Sequence, residues 1–521
     1  MRLKFICFLV SFECMEDYEL VVIGSGAGLN VLNYGLQMGL KCALIEDTKL
    51  GATCLTRGCI PSKVLVHPAD LIREAEHASK IGIKFSVDNI DWDLIAKRMW
   101  SQINESKAIE EGLSQVSNLK LYKGVGEFIG DYEMQVKSSS GEIIGHFKGE
   151  KFVLASGARS FIPPIEGLDQ IEYITNENFF GDKFPKKPWE SLIIIGGGVI
   201  AAEFAHIFSA FGTKVTIIEM LPRLVMTEEP EISKLLEENF KKHMNVLVDH
   251  KAIKVSAKKK EKSVIVRNVN TGDEMELKAE EIMLAVGRKS NADLLKVENT
   301  GVEIDDRGWI KTNLFLETSK PNIWAFGDAN GLYQFRHKAN YEADLCANNI
   351  FGPPDEKQKA DYSVVPWAIF TSPQIGHVGM TQEEAIEKGH EIFVAVKNYS
   401  EVAKGFAMGY QSQDYDDGFV KLVIDKSYKL LGAHVVGPHA AMLVQPFVYL
   451  MNAGYTCDSP DFPARTGSRK LGRACPEAGS FMPVYKSMVI HPSLNEVAGW
   501  AIGNMRPVNI KMEHHEHHHD H

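Results

Sequence analysis

From Tyr18 onward, unbroken apolar runs that end in glycine-rich turns alternate with stretches whose apolar residues recur every three or four positions. "ELVVIGSGAGLNVLNYGLQMGLKCALIED" predicts a buried strand, a glycine turn, a helix and a second strand ending at Glu46. "SLIIIGGGVIAAEFAHIFSAFGTKVTIIEM" repeats the plan and ends at Glu219. Strands apolar on both faces belong to parallel sheets covered by helices, so the two repeats predict an α/β architecture with two Rossmann-like units. "FSVDNIDWDLIAKRMWSQINESKAIEEGL" (85–113) has a helical pattern. "LKLYKGVGEFIGDYEMQVKSSSGEIIGHFKGEKFVLASG" (119–157) alternates like antiparallel strands, with turns at Gly130-Asp131 and Ser140-Gly141. "KVSAKKKEKSVIVRNVNTGDEMEL" predicts another hairpin, its lysine run a solvated turn. After Tyr362 several strands flanked by helices follow without a third glycine turn, which predicts a separate α+β unit.

Each glycine turn has a chemical reading. Glycines let the backbone approach a pyrophosphate, the following helix offers free N–H groups and a positive dipole end, and the acid closing the second strand suits ribose hydroxyls. The first copy has Gly24, Gly26 and Gly28, but Leu29 where G-x-G-x-x-G has its third glycine; the second has Gly196 and Gly198 with Ala201. Two such sites imply two dinucleotides that exchange electrons, the layout of an oxidoreductase.

Composition narrows the classes. A chain of 521 residues exceeds one core and predicts several domains. With 45% hydrophobic and 24% charged residues it is globular in composition, and a net charge of −11 argues against nucleic acid as a partner. No run of about 18 apolar residues predicts a membrane span. "MRLKFICFLVSFEC" has the outline of a secretory signal but lacks a small-residue cleavage site, and Met15 is an alternative start. Eight cysteines are too few for a disulfide scaffold in so long a chain, which points to a reducing, cytoplasmic compartment.

One cysteine pair is closely spaced: Cys54 and Cys59 in "GATCLTRGCIPSK". A zinc site wants a second Cys/His pair at suitable spacing, and Cys42 and His67 do not form one, so no metal is expected. A crosslink would close only a tiny loop, with little entropic gain. A redox role fits better, because Pro61 and the helical pattern after it place the pair near a helix N-terminus, where a thiolate is favoured.

That segment resembles the redox-active stretch of the flavoprotein disulfide reductases, the family of dihydrolipoamide dehydrogenase and of glutathione, mycothione and mercuric reductases. "VLASGARSFIPP", "LAVGRKSN", "TSKPNIWAFGDA", "GAHVVGPHAAMLVQ" and "VIHPSLNEVAGWA" resemble further segments of it, and the likeness runs from about Glu16 to Asn504. The resemblance implies an FAD-binding part (15–165, completed by 291–361), an NAD-binding part (166–290) and a dimerisation part (362–505). These would be flanked by an extension (1–14) and a His-rich tail (506–521). FAD would lie against Gly24, Gly26, Gly28, Glu46, Thr53, Gly126, Ser156, Gly157, Asp328 and Ala339. NAD would lie against Gly196, Gly198, Ala201, Glu219 and Gly287. Cys59 would be the charge-transfer thiol and Cys54 the one that attacks substrate, with Lys63 beside the flavin and paired to Glu203. His491 would be the acid/base and Glu496 its orienter, reaching the dithiol of the other subunit, so that a homodimer shares its active sites.

Glu219 favours NADH over NADPH, with Arg223 as a cation able to receive a 2′-phosphate. "YQFRHKANYEADLCANNI" and "YSEVAKGFAMGY" are similar to mycothione reductases and to homologues labelled dihydrolipoamide dehydrogenase; "HKA" and Glu219 favour the latter. The expected activity is thus that of a dihydrolipoamide dehydrogenase acting on a small-molecule or lipoyl-domain disulfide or dithiol, with a mycothione reductase as the alternative. A silent flavin-binding or metal-handling protein is the reading from another class. Two departures stand out: an insert at 455–476, with Cys457 and Cys475 near its two ends, reads as a surface loop, and "MEHHEHHHDH" could chelate a cation or be an unstructured end.

Overall fold

Two parallel sheets, each built on one glycine-turn repeat, carry the chain. The computed structural model describes residues 16–412, 414–453, 482–493 and 495. In the first sheet the order is Ile323–Ala325, Phe152–Leu154, Leu20–Ile23, Cys42–Glu46, Leu119–Lys123, all parallel. In the second it is Asn245–Leu247, Lys214–Ile218, Ser191–Ile195, Glu281–Leu284, again all parallel. Leu20–Ile23 and Leu192–Ile195 are buried because helices cover both faces of the sheets, which is why their sequences carry no polar alternation.

Antiparallel pieces attach to each parallel sheet. Val125–Gly130, Glu133–Lys137 and Ile143–Gly149 form a meander that Glu16–Tyr18 joins in parallel. His250–Lys258, Glu261–Asn268 and Glu274–Ala279 form a three-stranded sheet, one strand more than the expected hairpin, with Lys259 in the left-handed region at the turn. A five-stranded antiparallel sheet follows, in the order Pro366–Ile369, Ile375–Gly379, Leu430–Val436, Phe419–Asp425, Ile392–Asn398.

Two expectations change. Leu119–Lys123 reads as antiparallel but pairs in parallel with Cys42–Glu46, because the helix before it returns the chain to the sheet edge in the same direction. That helix starts at Trp92 rather than near Phe85. The Asp91 carboxylate accepts the N–H of Leu94 at 2.9 Å and caps it, while 84–91 run irregularly.

The helix Cys59–His77 lies against the helix Val199–Ala210, in which every residue from Ala201 to Ala210 is buried. Polar rungs cross this contact at helical spacing. Lys63 Nζ donates to Glu203, Asp70 meets His206 Nε2 at 2.8 Å, and Arg73 Nη2 donates to Ser209 Oγ at 2.9 Å. A hydrophobic cluster continues from these helices into the C-terminal sheet through Ile369, Val378 and Val435, and into the helix Gln445–Ala453 through Val448. The start of the Cys59 helix is thereby fixed against both neighbouring units.

Candidate active site

Both glycine turns are built alike. Gly24 and Gly196 have φ of +100° and +113°, and a Cβ on either would stand 2.2 Å from Ala155 O or 2.3 Å from Ala285 O. Only glycine fits there. Gly28, rather than a residue at the Leu29 position, allows the close helix–strand approach, its Cβ position lying 3.0 Å from Val22 Cγ1. Ala201 is fully buried in the second unit, and Gly198 precedes the first residue of its helix.

The acids at the strand ends turn back on these loops. Glu46 accepts from Ser25 N (2.9 Å), Ser25 Oγ (2.6 Å), Thr48 N (3.0 Å) and Thr48 Oγ1 (2.7 Å). Burial would raise its pKa, but those hydrogen bonds outweigh burial and keep the carboxylate below its ordinary range. Glu219 accepts from Gly197 N at 2.5 Å and Leu221 N at 2.8 Å. Arg223 donates to the carbonyls of Glu228 (3.1 Å) and Met226 (3.4 Å), which ties it to its own loop.

The dithiol sits where two helices meet. Cys54 lies in the short helix Ala52–Thr56, and Cys59 is the first residue of Cys59–His77; the sulfurs are unbridged. Hydrogen bonding from Cys54 lowers the Cys59 pKa to about 6 against the opposing effect of burial, helped by the charges of Lys63, His491 and Arg336. The same bond, with burial, pushes Cys54 well above the ordinary thiol range. Cys59 is therefore the thiolate and Cys54 the thiol that donates to it. Lys63 Nζ lies 2.8 and 3.0 Å from the two Glu203 oxygens and 4.5 Å from the Phe370 ring centre, and Phe370 N also donates to Glu203 at 3.1 Å.

His491 Nε2 stands 3.1 Å from Cys54 Sγ, across 437 positions of sequence. In the single chain described, this histidine belongs to the same subunit as the dithiol. Its segment is held by Gln445, whose Nε2 donates to Met488 O (3.1 Å) and whose Oε1 accepts Ile490 N (3.4 Å). His491 N donates to His337 Nδ1 at 3.4 Å, and His337 Nε2 donates to Pro366 O at 2.7 Å. Burial holds His337 down to about 4, so it stays neutral and keeps that tautomer. Glu496, Cys457, Cys475, the insert and the His-rich tail lie outside the described residues.

The sulfurs and one His491 nitrogen all lie within 4.8 Å of one another. The spacing along the chain offered Cys54 and Cys59 no second Cys/His pair, but the fold brings one imidazole nitrogen from a distant segment to the two sulfurs, a soft S,S,N donor set.

A cavity of about 770 Å³ joins these parts, lined by Cys59, Lys63, Glu203 and His491 at one end and by Gly198 and Glu219 at the other, with Thr53 and Gly287 also on its wall. Gly24, Gly26, Gly28, Glu46 and Gly126 belong instead to the first unit, where the Gly126 Cβ position lies 3.5 Å from Ile45 on the Glu46 strand. Gly157 has φ +67°, and the buried Ser156 Oγ has no hydrogen-bond partner among the described residues. Asp328 pairs with Arg288 Nη1 at 3.1 Å, and Ala339 packs on the Gly327 turn beside it. An orphaned buried hydroxyl, a turn with no room for a Cβ and an uncapped helix start at Gly28 fit a dinucleotide such as FAD. Arg336, His337, Ser25 and Thr48 were not foreseen; Arg336 and His337 stand in the quoted "YQFRHKA", whose arginine ahead of a helix was the available signal.

The profile described as "Pyridine nucleotide-disulphide oxidoreductase" matches residues 18–343, and that of its dimerisation domain matches residues 365–463. The chain belongs to the pyridine nucleotide-disulphide oxidoreductases. Members of this family bind FAD and are NAD(P)-dependent. Among similar pyridine nucleotide-disulphide oxidoreductases, mycothione reductase of Mycobacterium tuberculosis is 32% identical over 85% of this chain and 94% of its own. Dihydrolipoyl dehydrogenase of Chlamydia muridarum is 31% identical over 82% and 89%. A solved copper(II) complex of the HOCl-induced flavoprotein disulfide reductase RclA of Escherichia coli superposes with a TM-score of 0.73 at 24% identity, covering 94% of this chain and 100% of that one, a likeness of fold. No described helix is long and apolar enough to cross a membrane.

Proposed function

We propose that the chain moves electrons between NAD(H) and a disulfide or dithiol substrate through Cys54 and Cys59, as a dihydrolipoyl dehydrogenase. The observation that carries this is the meeting of the Cys59 and Cys54 sulfurs with the His491 imidazole at one end of a cavity whose other end carries Glu219. The first unit, with its turn at Gly24, Gly26 and Gly28 and with Ser156 and Asp328, would hold FAD, which would supply two-electron transfer between the nicotinamide and the sulfurs. His491 takes the Cys54 proton, and the Cys54 thiolate attacks one sulfur of the substrate disulfide. The S–S bond breaks, and the departing thiolate receives the proton from His491. Cys59 then attacks Cys54, closes the internal disulfide and expels the second thiol, which is protonated from solvent. Dihydrolipoamide oxidation is the same sequence reversed. Lys63, held by Glu203, keeps positive charge beside Cys59; Glu496, outside the described residues, keeps the role of His491 orienter that the family resemblance implies.

A carboxylate at Glu219 supports NADH as the coenzyme, because it accepts ribose hydroxyls and repels a 2′-phosphate. A homodimer is supported by the dimerisation-domain match and by the edge strand Ile392–Asn398, whose exposed Phe393 stacks on Tyr428, itself 84% exposed. A segment exchanged between identical subunits makes the same contacts as one that stays home. The contacts of His491 with Cys54 and His337 are therefore equally those of a site shared across the two-fold axis.

Steady-state turnover with NADH and NADPH against lipoamide, mycothiol disulfide, glutathione disulfide and coenzyme A disulfide tests the assignment. Lipoamide with NAD(H) should give the highest kcat/KM. Preference for mycothiol disulfide would transfer the chain to the mycothione reductases. The S,S,N cluster favours one second reading, a metal-handling flavoprotein; NADH-dependent reduction of copper(II) with no disulfide turnover would establish it.

A further inference from the structure

Arg336 is the first residue of the helix Arg336–Phe351 and lines the same cavity as Cys59, Lys63 and His491. Its side chain reaches back to the first glycine turn, since a Cβ on Gly26 would lie 3.4 Å from Nη1. The charge of Arg336 lowers the pKa of both Cys54 and Cys59, so the guanidinium stands between the turn and the dithiol. Lys63 and Arg288, two other cations of this cavity, are paired with Glu203 and Asp328. Arg336 pairs with no carboxylate among the described residues.

The helix that follows the turn, Gly28–Gln37, has no side-chain cap and no acid in its first turn. Its N-terminus supplies dipole and N–H groups but no full charge, whereas a dinucleotide brings a diphosphate carrying two negative charges. A planar guanidinium can donate two parallel hydrogen bonds to such a group.

We propose that Arg336 is a diphosphate-binding residue, its guanidinium closing over Gly26 onto the pyrophosphate of FAD. The residue then acts on flavin retention and not on the choice of disulfide, so its test is independent of the substrate assignment. FAD release from purified holoenzyme is followed by flavin fluorescence after dilution, at low and high salt. Arg336→Met should release FAD about ten- to a hundredfold faster than the unaltered enzyme, as expected for a lost charge-assisted contact. Its release should also respond less steeply to salt. Arg336→Lys, which keeps the charge without the fork, should fall between. If Arg336→Met is isolated without flavin, retention of flavin by Arg336→Lys supports the proposal and loss in both overturns it. Release from Arg336→Met within twofold of the unaltered enzyme, with an unchanged salt response, also overturns it.

Discussion

The two βαβ units share one turn but differ in what surrounds it. Gly24 and Gly196 meet the carbonyl of the neighbouring strand in the same way, and Glu46 and Glu219 end equivalent strands. Around Glu46 four hydrogen bonds from Ser25 and Thr48 occupy both carboxylate oxygens. Around Glu219 two backbone donors do so, and the residue lines the large cavity. The enclosed unit suits a dinucleotide that stays, and the unit that opens into the cavity suits one that enters and leaves each cycle. One structural motif can therefore serve a resident and an exchanging cofactor, the difference lying in the walls around the turn.

The strongest way to break the comparison is to fill each turn. Gly24→Val forces a Cβ into Ala155 O, and the protein should be isolated colourless or insoluble. Gly196→Val should remain yellow but resist bleaching by anaerobic NADH. Visible spectra before and after NADH check this, and loss of flavin in both would show that the units are not separable. Next in size is proton transfer at the sulfurs of the first unit. His491→Ala should lower turnover by about 10²–10⁴-fold. In purified heterodimers of His491→Ala with Cys54→Ser, up to half of the unaltered dimer's activity should return if the site is shared. No recovery would assign the 3.1 Å contact to a single subunit.

A smaller effect sharpens the contrast between the acids. Glu219→Gln should reduce the preference for NADH over NADPH in kcat/KM by tenfold or more, roughly the worth of one hydrogen bond to a charged group. Glu46→Gln should leave that preference unchanged. Arg223, tied to the carbonyls of Met226 and Glu228, should contribute little to either coenzyme. The smallest effect is a titration. Cys59 loses its proton as pH rises through about 6, so the thiolate-to-flavin band of the reduced enzyme should grow above that pH and fade below it. Lys63→Met should move the midpoint upward, because the lysine charge favours the thiolate; an unmoved midpoint would remove Lys63 from the electrostatics of the pair.

Local chemistry made much of this protein legible from its sequence. The two strand–turn–helix units, the acids that end them and a helix start near the cysteine pair follow from apolar runs, glycine positions and Pro61, because each is settled within a few neighbouring residues. Start points and pairing partners were less legible. Phe85 to Ile90 share the apolar spacing of the helix behind them, yet the Asp91 cap starts the helix later, and Leu119–Lys123 alternates although its partner is a parallel strand. Alternation records which faces are covered, not the direction of the neighbouring strand. The meetings of Glu203 with Lys63 and of His491 with the dithiol were implied by the family resemblance and not by any local pattern, whereas Arg336 over Gly26 and His337 beneath the His491 backbone were decided only by the tertiary structure. Such contacts depend on how whole units pack, and the sum of that packing, not any local preference, sets a thiolate at Cys59 and a thiol at Cys54.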